Sequence, residues 1–314
     1  MLYKQVAELI RAKKIDKFVG VGEALLGHQQ YFDIAQQYFY ADTATLLQQL
    51  KVLNFKDETI LIKGSRSFEF EQVSRALAQK AHETVMEINL NSLLNNLNFY
   101  KSKLKPGVKV MAMVKAFSYG SGTFEVANML QYNKVDYLAV AYIDEGVALR
   151  QAGINLPIKV LNPEASAFDK LTEYKLEPVI YSFGLLDDFV SYASAQGIAG
   201  YPVHLKIDTG MHRLGFENYE IETLCDMLEV NRYVRVQSVF SHLVASESPE
   251  HDEFTKKQIR RFEKAFKEIE RTLGYKVIKH ICNTAGIIRW PSAHYDMVRL
   301  GIGLYGIDLV GIRG

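Results

Sequence analysis

Val108-Lys109-Val110-Met111-Ala112-Met113-Val114-Lys115 is followed by Ala116-Phe117-Ser118-Tyr119-Gly120-Ser121-Gly122. The first eight residues read as a strand buried on both faces, because apolar side chains run almost without interruption. That strand delivers one amine at its C-terminal end, and the glycine-rich turn after it leads into a helix. A lysine in this place is costly unless something uses it. Desolvation favours the free amine, and the free amine is a nucleophile. A strand-end lysine can also snorkel into water, so the rest of the chain must decide between the two readings.

The same rhythm repeats outward from this strand. Strands are expected at Val108–Lys115, Tyr137–Ala141, Ile158–Asn162, Glu177–Ser182, Val203–Asp208, Val234–His242, Val277–Asn283 and Met297–Ile302. Helices lie between them. The clearest runs from His251 to Leu273, where Phe254, Ile259, Phe262, Phe266, Ile269 and Leu273 form one apolar stripe. Eight strand-helix repeats in about 220 residues are the signature of a closed (β/α)8 TIM barrel, over residues 84–314. An open doubly wound sheet is the alternative, since periodicity does not show closure.

Residues 1–80 have a shorter period and are expected to form a small, partial parallel α/β domain. Leu2, Val6, Leu9 and Ile10 make a helical stripe. Strands are expected at Phe18–Gly22, Gln37–Ala41 and Thr59–Ile62, with a helix from Phe70 to Leu77. Three strands make a meagre core, so the unit reads as incomplete. The turn Lys63-Gly64-Ser65-Arg66 is no nucleotide P-loop, because Gly-x-x-x-x-Gly-Lys-Ser/Thr occurs nowhere in the chain.

Composition removes several function classes. With 48% apolar and 23% charged residues among 314, the chain can bury a sizeable core. Its net charge of +1 gives no electrostatic case for nucleic acid or an acidic membrane surface. Cys225 and Cys282 match no metal-ligand spacing, and two distant thiols suit a reducing cytoplasm. The start Met1-Leu2-Tyr3-Lys4-Gln5-Val6-Ala7-Glu8 lacks the pattern of a signal peptide. No run approaches the roughly 18 apolar residues that would span a bilayer. A cytoplasmic enzyme without a metal is the expectation.

If the barrel closes, functional residues should gather where its strands end. They do in the sequence. Lys115 and Tyr119 follow the first strand. Lys206-Ile207-Asp208-Thr209-Gly210-Met211-His212-Arg213-Leu214-Gly215 covers the fifth. Ser241-His242, Asn283-Thr284 and Arg299-Leu300-Gly301-Ile302 close the sixth, seventh and eighth. One mouth would hold an amine, two arginines, a histidine, hydroxyls and glycine amides. That set suits a phosphorylated aromatic aldehyde bound to lysine beside a carboxylated substrate.

The runs Val114–Gly120, Asp208–Gly215 and Asp296–Gly306 resemble alanine racemases of the pyridoxal-phosphate barrel class, in order, over about residues 84–306. The resemblance implies pyridoxal 5'-phosphate as cofactor, alanine as substrate and a homodimeric parent. Lys115 inherits covalent attachment of the cofactor. Tyr119, Thr284 (where the family usually has serine) and the backbone around Gly301 and Ile302 inherit its phosphate. A simple turn glycine is the other reading of Gly301. Arg299 inherits the pyridine nitrogen. Arginine only donates, so that nitrogen stays unprotonated and the cofactor is a weaker electron sink. Arg213 inherits the substrate carboxylate and Lys206 its support, as a lysine carbamylated in some members. His242 inherits a place beside the ring, with a buried structural histidine as the alternative, and Asn283 a place behind the cofactor contacts.

Racemisation needs an acid or base on each face of the substrate. In the family the second is a tyrosine from a C-terminal β domain of the neighbouring subunit, and only Ile307 to Gly314 follow Tyr305-Gly306 here. The chain is therefore expected to bind cofactor and racemise poorly. Separately, Phe18–Gly22, Phe39-Tyr40-Ala41-Asp42 and Ile60–Arg66 resemble the tail of the C-terminal domain of Mur ligases. Within that group the similarity is to the enzyme that adds D-alanyl-D-alanine to the muramyl tripeptide. Together the two resemblances imply part of a bifunctional ligase and racemase of peptidoglycan synthesis. The competing function is a pyridoxal-phosphate-homeostasis barrel without racemase activity.

Overall fold

In the computed structural model, residues 2–56, 58–78, 87–120, 122–307 and 310–311 are described. The chain divides into two compact units, residues 1–85 and 86–314.

In the first unit, β1 (Lys17–Val21) and β2 (Gln36–Tyr40) pair in parallel, from Lys17 opposite Gln36 to Val21 opposite Tyr40. Helices Leu2–Ala12, Thr43–Leu53 and Glu71–Leu77 accompany them. Asp42 starts the second helix by accepting the Thr45 amide at 2.7 Å, the usual work of an N-cap carboxylate. Val21, Leu46, Leu53 and Val73 are buried together. The expected third strand at Thr59–Ile62 is not there. Those residues are irregular and Leu61 is 82% exposed. Apolar residues and β propensity do not make a strand without a neighbour to pair with and a face to bury.

The second unit is the barrel. Its strands are β3 (Lys109–Met113), β4 (Tyr137–Val140), β5 (Ile158–Val160), β6 (Glu177–Ile180), β7 (Tyr201–Lys206), β8 (Val234–Phe240), β9 (Ile278–His280) and β10 (Met297–Leu300). All neighbours pair in parallel in chain order, and β10 returns to β3 with Met297 opposite Lys109. Between β9 and β10 the amides of Asp296 and Arg299 donate to the carbonyls of Lys279 and Cys282, at 3.1 and 3.0 Å. A barrel rather than an open sheet results. The strands are shorter than expected at their C-terminal ends. Lys115, His242 and Asn283 lie just beyond β3, β8 and β9, in the turns.

The strands are buried on both faces, which explains their continuous apolar runs. Outward residues such as Val110, Leu138, Val160 and Leu205 pack beneath the helices, while Met111, Met113, Tyr137, Ala139 and Met297 fill the interior. The long helix is Asp252–Leu273, ended by Gly274 at φ +67. Its buried side is Thr255, Gln258, Phe262, Ala265, Phe266 and Ile269. Phe254, expected in the stripe, is 37% exposed. Among the described residues, no helix is long and apolar enough to cross a membrane.

Candidate active site

Parallel strands place all their C-terminal ends at one mouth, so residues distant in sequence converge there. The turn after β3 is built unusually. Ala116, Ser118 and Tyr119 have φ of +52, +55 and +56. The Ser118 amide donates to the Val114 carbonyl at 3.2 Å and the Gly120 amide to the Ala116 carbonyl at 3.0 Å. This is a turn of left-handed helix built without glycine, at a cost of about 1–2 kcal/mol per residue. Lys115 is partly exposed at its start, so the desolvation expected of it is only partial. Its Nζ lies 5.9 Å from the Tyr119 ring centroid.

Tyr119 leans on Tyr305, ring centroids 4.9 Å apart, and Tyr305 donates to the Met113 carbonyl at 3.0 Å. Opposite them, Thr284 Oγ1 accepts the amides of Gly301 at 3.1 Å and Gly303 at 3.4 Å. A Cβ on Gly301 would lie 3.7 Å from both Thr284 Oγ1 and Tyr119 Oη. Two hydroxyls thus face the bare backbone of Gly301 and can each donate to a phosphate, while the Gly301 amide here is engaged by Thr284. Ile302 begins the short turn that continues from Gly301. Asn283 is occupied otherwise. Its Oδ1 accepts from the Gly286 amide and Ser246 Oγ, and its Nδ2 donates to the Leu243 carbonyl. It caps the helix Thr284–Arg289 and so places Thr284, rather than reaching into the mouth.

Arg299 is buried, and its guanidinium is held on several sides. Nη2 donates to the carbonyls of Ser241 at 2.7 Å and Ile281 at 3.0 Å, and lies 3.3 Å from His242 Nδ1. Nη1 lies 2.9 Å from His280 Nδ1. Burial draws its pKa down to about 10, which leaves it protonated at neutral pH. His280 must then accept from Nη1, while His242 can at most share a hydrogen that Nη2 already gives to the carbonyls. His242 is pushed down to about 3 by burial first and then by Arg299, Arg213, Lys206 and Lys115. Lys206 falls to about 8 through burial and the same surrounding cations, with Asp208 opposing them. Arg213 is exposed.

Asp208 also shapes the loop that carries Arg213. Its Oδ1 accepts the amides of Gly210 and Met211 at 2.7 and 2.9 Å. At Gly215, φ is +128 and a Cβ would come within 2.7 Å of the Asp208 amide, so only glycine fits.

Beneath the mouth runs a polar line that the strand-end reading missed. Because His280 Nδ1 accepts from Arg299, its Nε2 carries the proton and faces Ser238 Oγ at 3.2 Å. Ser238 then donates to His204 Nδ1 at 2.6 Å, and His204 Nε2 to Glu177 at 2.8 Å. Every donor meets an acceptor, from the Arg299 cation to the Glu177 carboxylate. Fully buried Lys159 stands beside it, Nζ 3.4 Å from His280 Nε2 and 3.3 Å from the Phe240 ring centroid. The sequence carries a partial signal, polar residues at inward positions of strands otherwise apolar, but nothing local says which of them meet.

Fold and site define a barrel whose mouth presents two amines within a strongly basic, donor-rich surround. Residues 88–308 match the family described as alanine racemase, N-terminal domain, and the chain belongs to that family. It is 37% identical over 232 residues to the alanine racemase of Thermodesulfovibrio yellowstonii, covering 72% of this chain and 60% of that one. The solved alanine racemase of Clostridium difficile 630 in complex with cycloserine is 35% identical. There the TM-score is 0.67, over 72% of this chain and 63% of that one. The alanine racemase of Bartonella henselae, solved with covalently bound pyridoxal phosphate, shares the fold at 24% identity and a TM-score of 0.64. It covers 71% of this chain and 61% of its own. The chain thus spans about 60% of the length of the curated relative.

Proposed function

We propose that the barrel binds pyridoxal 5'-phosphate covalently through Lys115 and interconverts L- and D-alanine. The observation that carries this reading is the charge imbalance at the mouth. Lys115, Lys206, Arg213 and Arg299 are near enough to act on one another or on His242, and Asp208 is the carboxylate set against them. A phosphorylated cofactor and an amino-acid carboxylate would both offset that charge.

The bound cofactor supplies an electrophilic carbon and an electron sink that acidifies the α-hydrogen of an attached amino acid. The remaining work falls to the chain. Tyr119, Thr284 and the backbone at Gly301 and Ile302 would hold the phosphate, with Asn283 placing Thr284. Arg299 would donate to the pyridine nitrogen and keep it unprotonated, oriented by His242 and His280. Arg213 would take the substrate carboxylate, supported by Lys206. Lys115 would move the proton at the α-carbon on one face. No residue here is assigned to the opposite face, so racemisation by the chain alone should be slow.

The finer reading is that residues 1–80 are the end of a Mur-ligase-like domain. The parent would then be a cytoplasmic, homodimeric ligase and racemase serving peptidoglycan synthesis. The parallel β1–β2 pair with its flanking helices supports this.

The test is to add pyridoxal phosphate to purified protein, reduce with borohydride and map the modified peptide. Visible absorption and a label on Lys115 are expected. An unchanged adduct in Lys115→Ala protein would sink the reading.

A further inference from the structure

The left-handed turn at Ala116, Ser118 and Tyr119 needs something to hold it, because strained backbone persists only where its surroundings over-determine it. One side chain from the next strand-helix unit reaches it. Glu145 lies in the first turn of the helix Ile143–Gln151. Its Oε1 accepts the Ala116 amide at 2.6 Å. Its Oε2 accepts the Ala141 amide at 2.6 Å and the Tyr142 amide at 3.3 Å. One carboxylate therefore ties the residue after Lys115 to the backbone just beyond β4.

We infer that Glu145 is a positioning residue for Lys115 and Tyr119, clamping the left-handed turn so that amine and phenol reach the mouth together. This rests on the proposed role of Lys115. A simpler role would be local: the carboxylate at the third position of a helix often accepts the amide of its N-cap, here Tyr142. That role uses only Oε2. Oε1 has no part in it, and Oε1 is the atom bonded to Ala116.

The chemistry of the clamp singles out a carboxylate. It must accept on both sides, and a carboxylate is acceptor-only. Glutamine has the same size but one acceptor oxygen, so in Glu145→Gln one side would set an amide N–H against a backbone N–H.

The test compares wild type, Glu145→Gln and Glu145→Ala. First, amide hydrogen exchange is read on cofactor-free protein at Ala116 and Gly120, with Leu205 and Val239 in β7 and β8 as fold controls. Second, the rate of borohydride-trapped labelling of Lys115 by pyridoxal phosphate is measured. Glu145→Ala should lose protection at Ala116 by at least about tenfold, and both variants should label Lys115 more slowly, with the controls unchanged. Wild-type exchange at Ala116 in Glu145→Ala overturns the clamp, as does loss spread equally over the control amides. Wild-type labelling in both variants overturns its role in placing Lys115. A wild type that is never labelled on Lys115 instead overturns the cofactor reading, while the exchange result still judges the clamp.

Discussion

The mouth of the barrel and its interior are built from the same strands and handle charge in opposite ways. At the mouth, Lys115, Lys206, Arg213 and Arg299 outnumber Asp208, and the Gly301 backbone faces hydroxyls. In the interior, the line from Arg299 through His280, Ser238 and His204 to Glu177 matches each donor with an acceptor. An unbalanced region is suited to receive an anion, and a balanced one to keep its shape. Substitutions at the mouth should change chemistry with little effect on stability, and substitutions in the interior should do the reverse.

The largest effect expected is at the mouth. Lys115→Ala should abolish the borohydride-stable adduct and lower racemisation by at least about 10³-fold. Its unfolding free energy should stay within about 0.5 kcal/mol of wild type, as for a partly exposed side chain. Urea unfolding without cofactor measures this. A large loss of stability would mean that Lys115 is part of the packing.

Arg299 belongs to both regions, so Arg299→Glu should fail in both assays. The new carboxylate would face the carbonyls of Ser241 and Ile281, where a donor is needed. A cost of about 3–5 kcal/mol is expected, with slower racemisation and more transaminated product. A variant with normal stability would show that the guanidinium is not the keystone between mouth and interior.

Acid should act on the interior. His204 is held down to about 4 chiefly by burial, against Glu177. Unfolded, it would titrate near the ordinary 6.5. The unfolded state therefore binds the extra proton between about pH 6.5 and 4, and stability falls as pH falls through that window. His204 alone should contribute a loss on the order of 2–3 kcal/mol by pH 4.5. His204→Gln keeps an N–H for Glu177 and should flatten the slope. An equal slope in both proteins would move the titration elsewhere.

How far the sequence could be read follows the same division. Strands were legible because burial on both faces leaves continuous apolar runs, and the mouth because its residues sit in turns after them. The polar line was not legible. Ser238 meets His204 and His280 across 34 and 42 residues of chain, and no local spacing says which strands face each other through a barrel. The left-handed turn was hidden as well, because its positive φ values fall on Ala116, Ser118 and Tyr119 while Gly120 is the residue that attracts notice. In the first unit, Ile60 and Leu61 looked like a strand and are 39% and 82% exposed, since pairing depends on what lies alongside.

The smallest effect tests whether the interior is balanced without Lys159. The amine is fully buried, and burial first, then Arg299, pushes its pKa well below the ordinary lysine value. A neutral amine is consistent with its contact to His280, because His280 Nε2 carries a proton and cannot accept one. Ser238 Oγ, at 3.2 Å, already takes that proton, while Lys159 Nζ is farther off at 3.4 Å. Lys159→Met should therefore orphan nothing. It would put a thioether against the Phe240 ring and raise stability by about 1–2 kcal/mol at pH 7. The pH dependence sharpens this. The unfolded wild type holds a proton on this lysine up to about 10.4 while the fold does not, so wild-type stability rises with pH in that range. The advantage of the variant should shrink as pH rises from 7 toward 10, as read from urea midpoints. A destabilised Lys159→Met protein would mean that the amine is a required acceptor for His280. The interior would then depend on a lysine held neutral by the fold, and the contrast with the mouth would be one of degree.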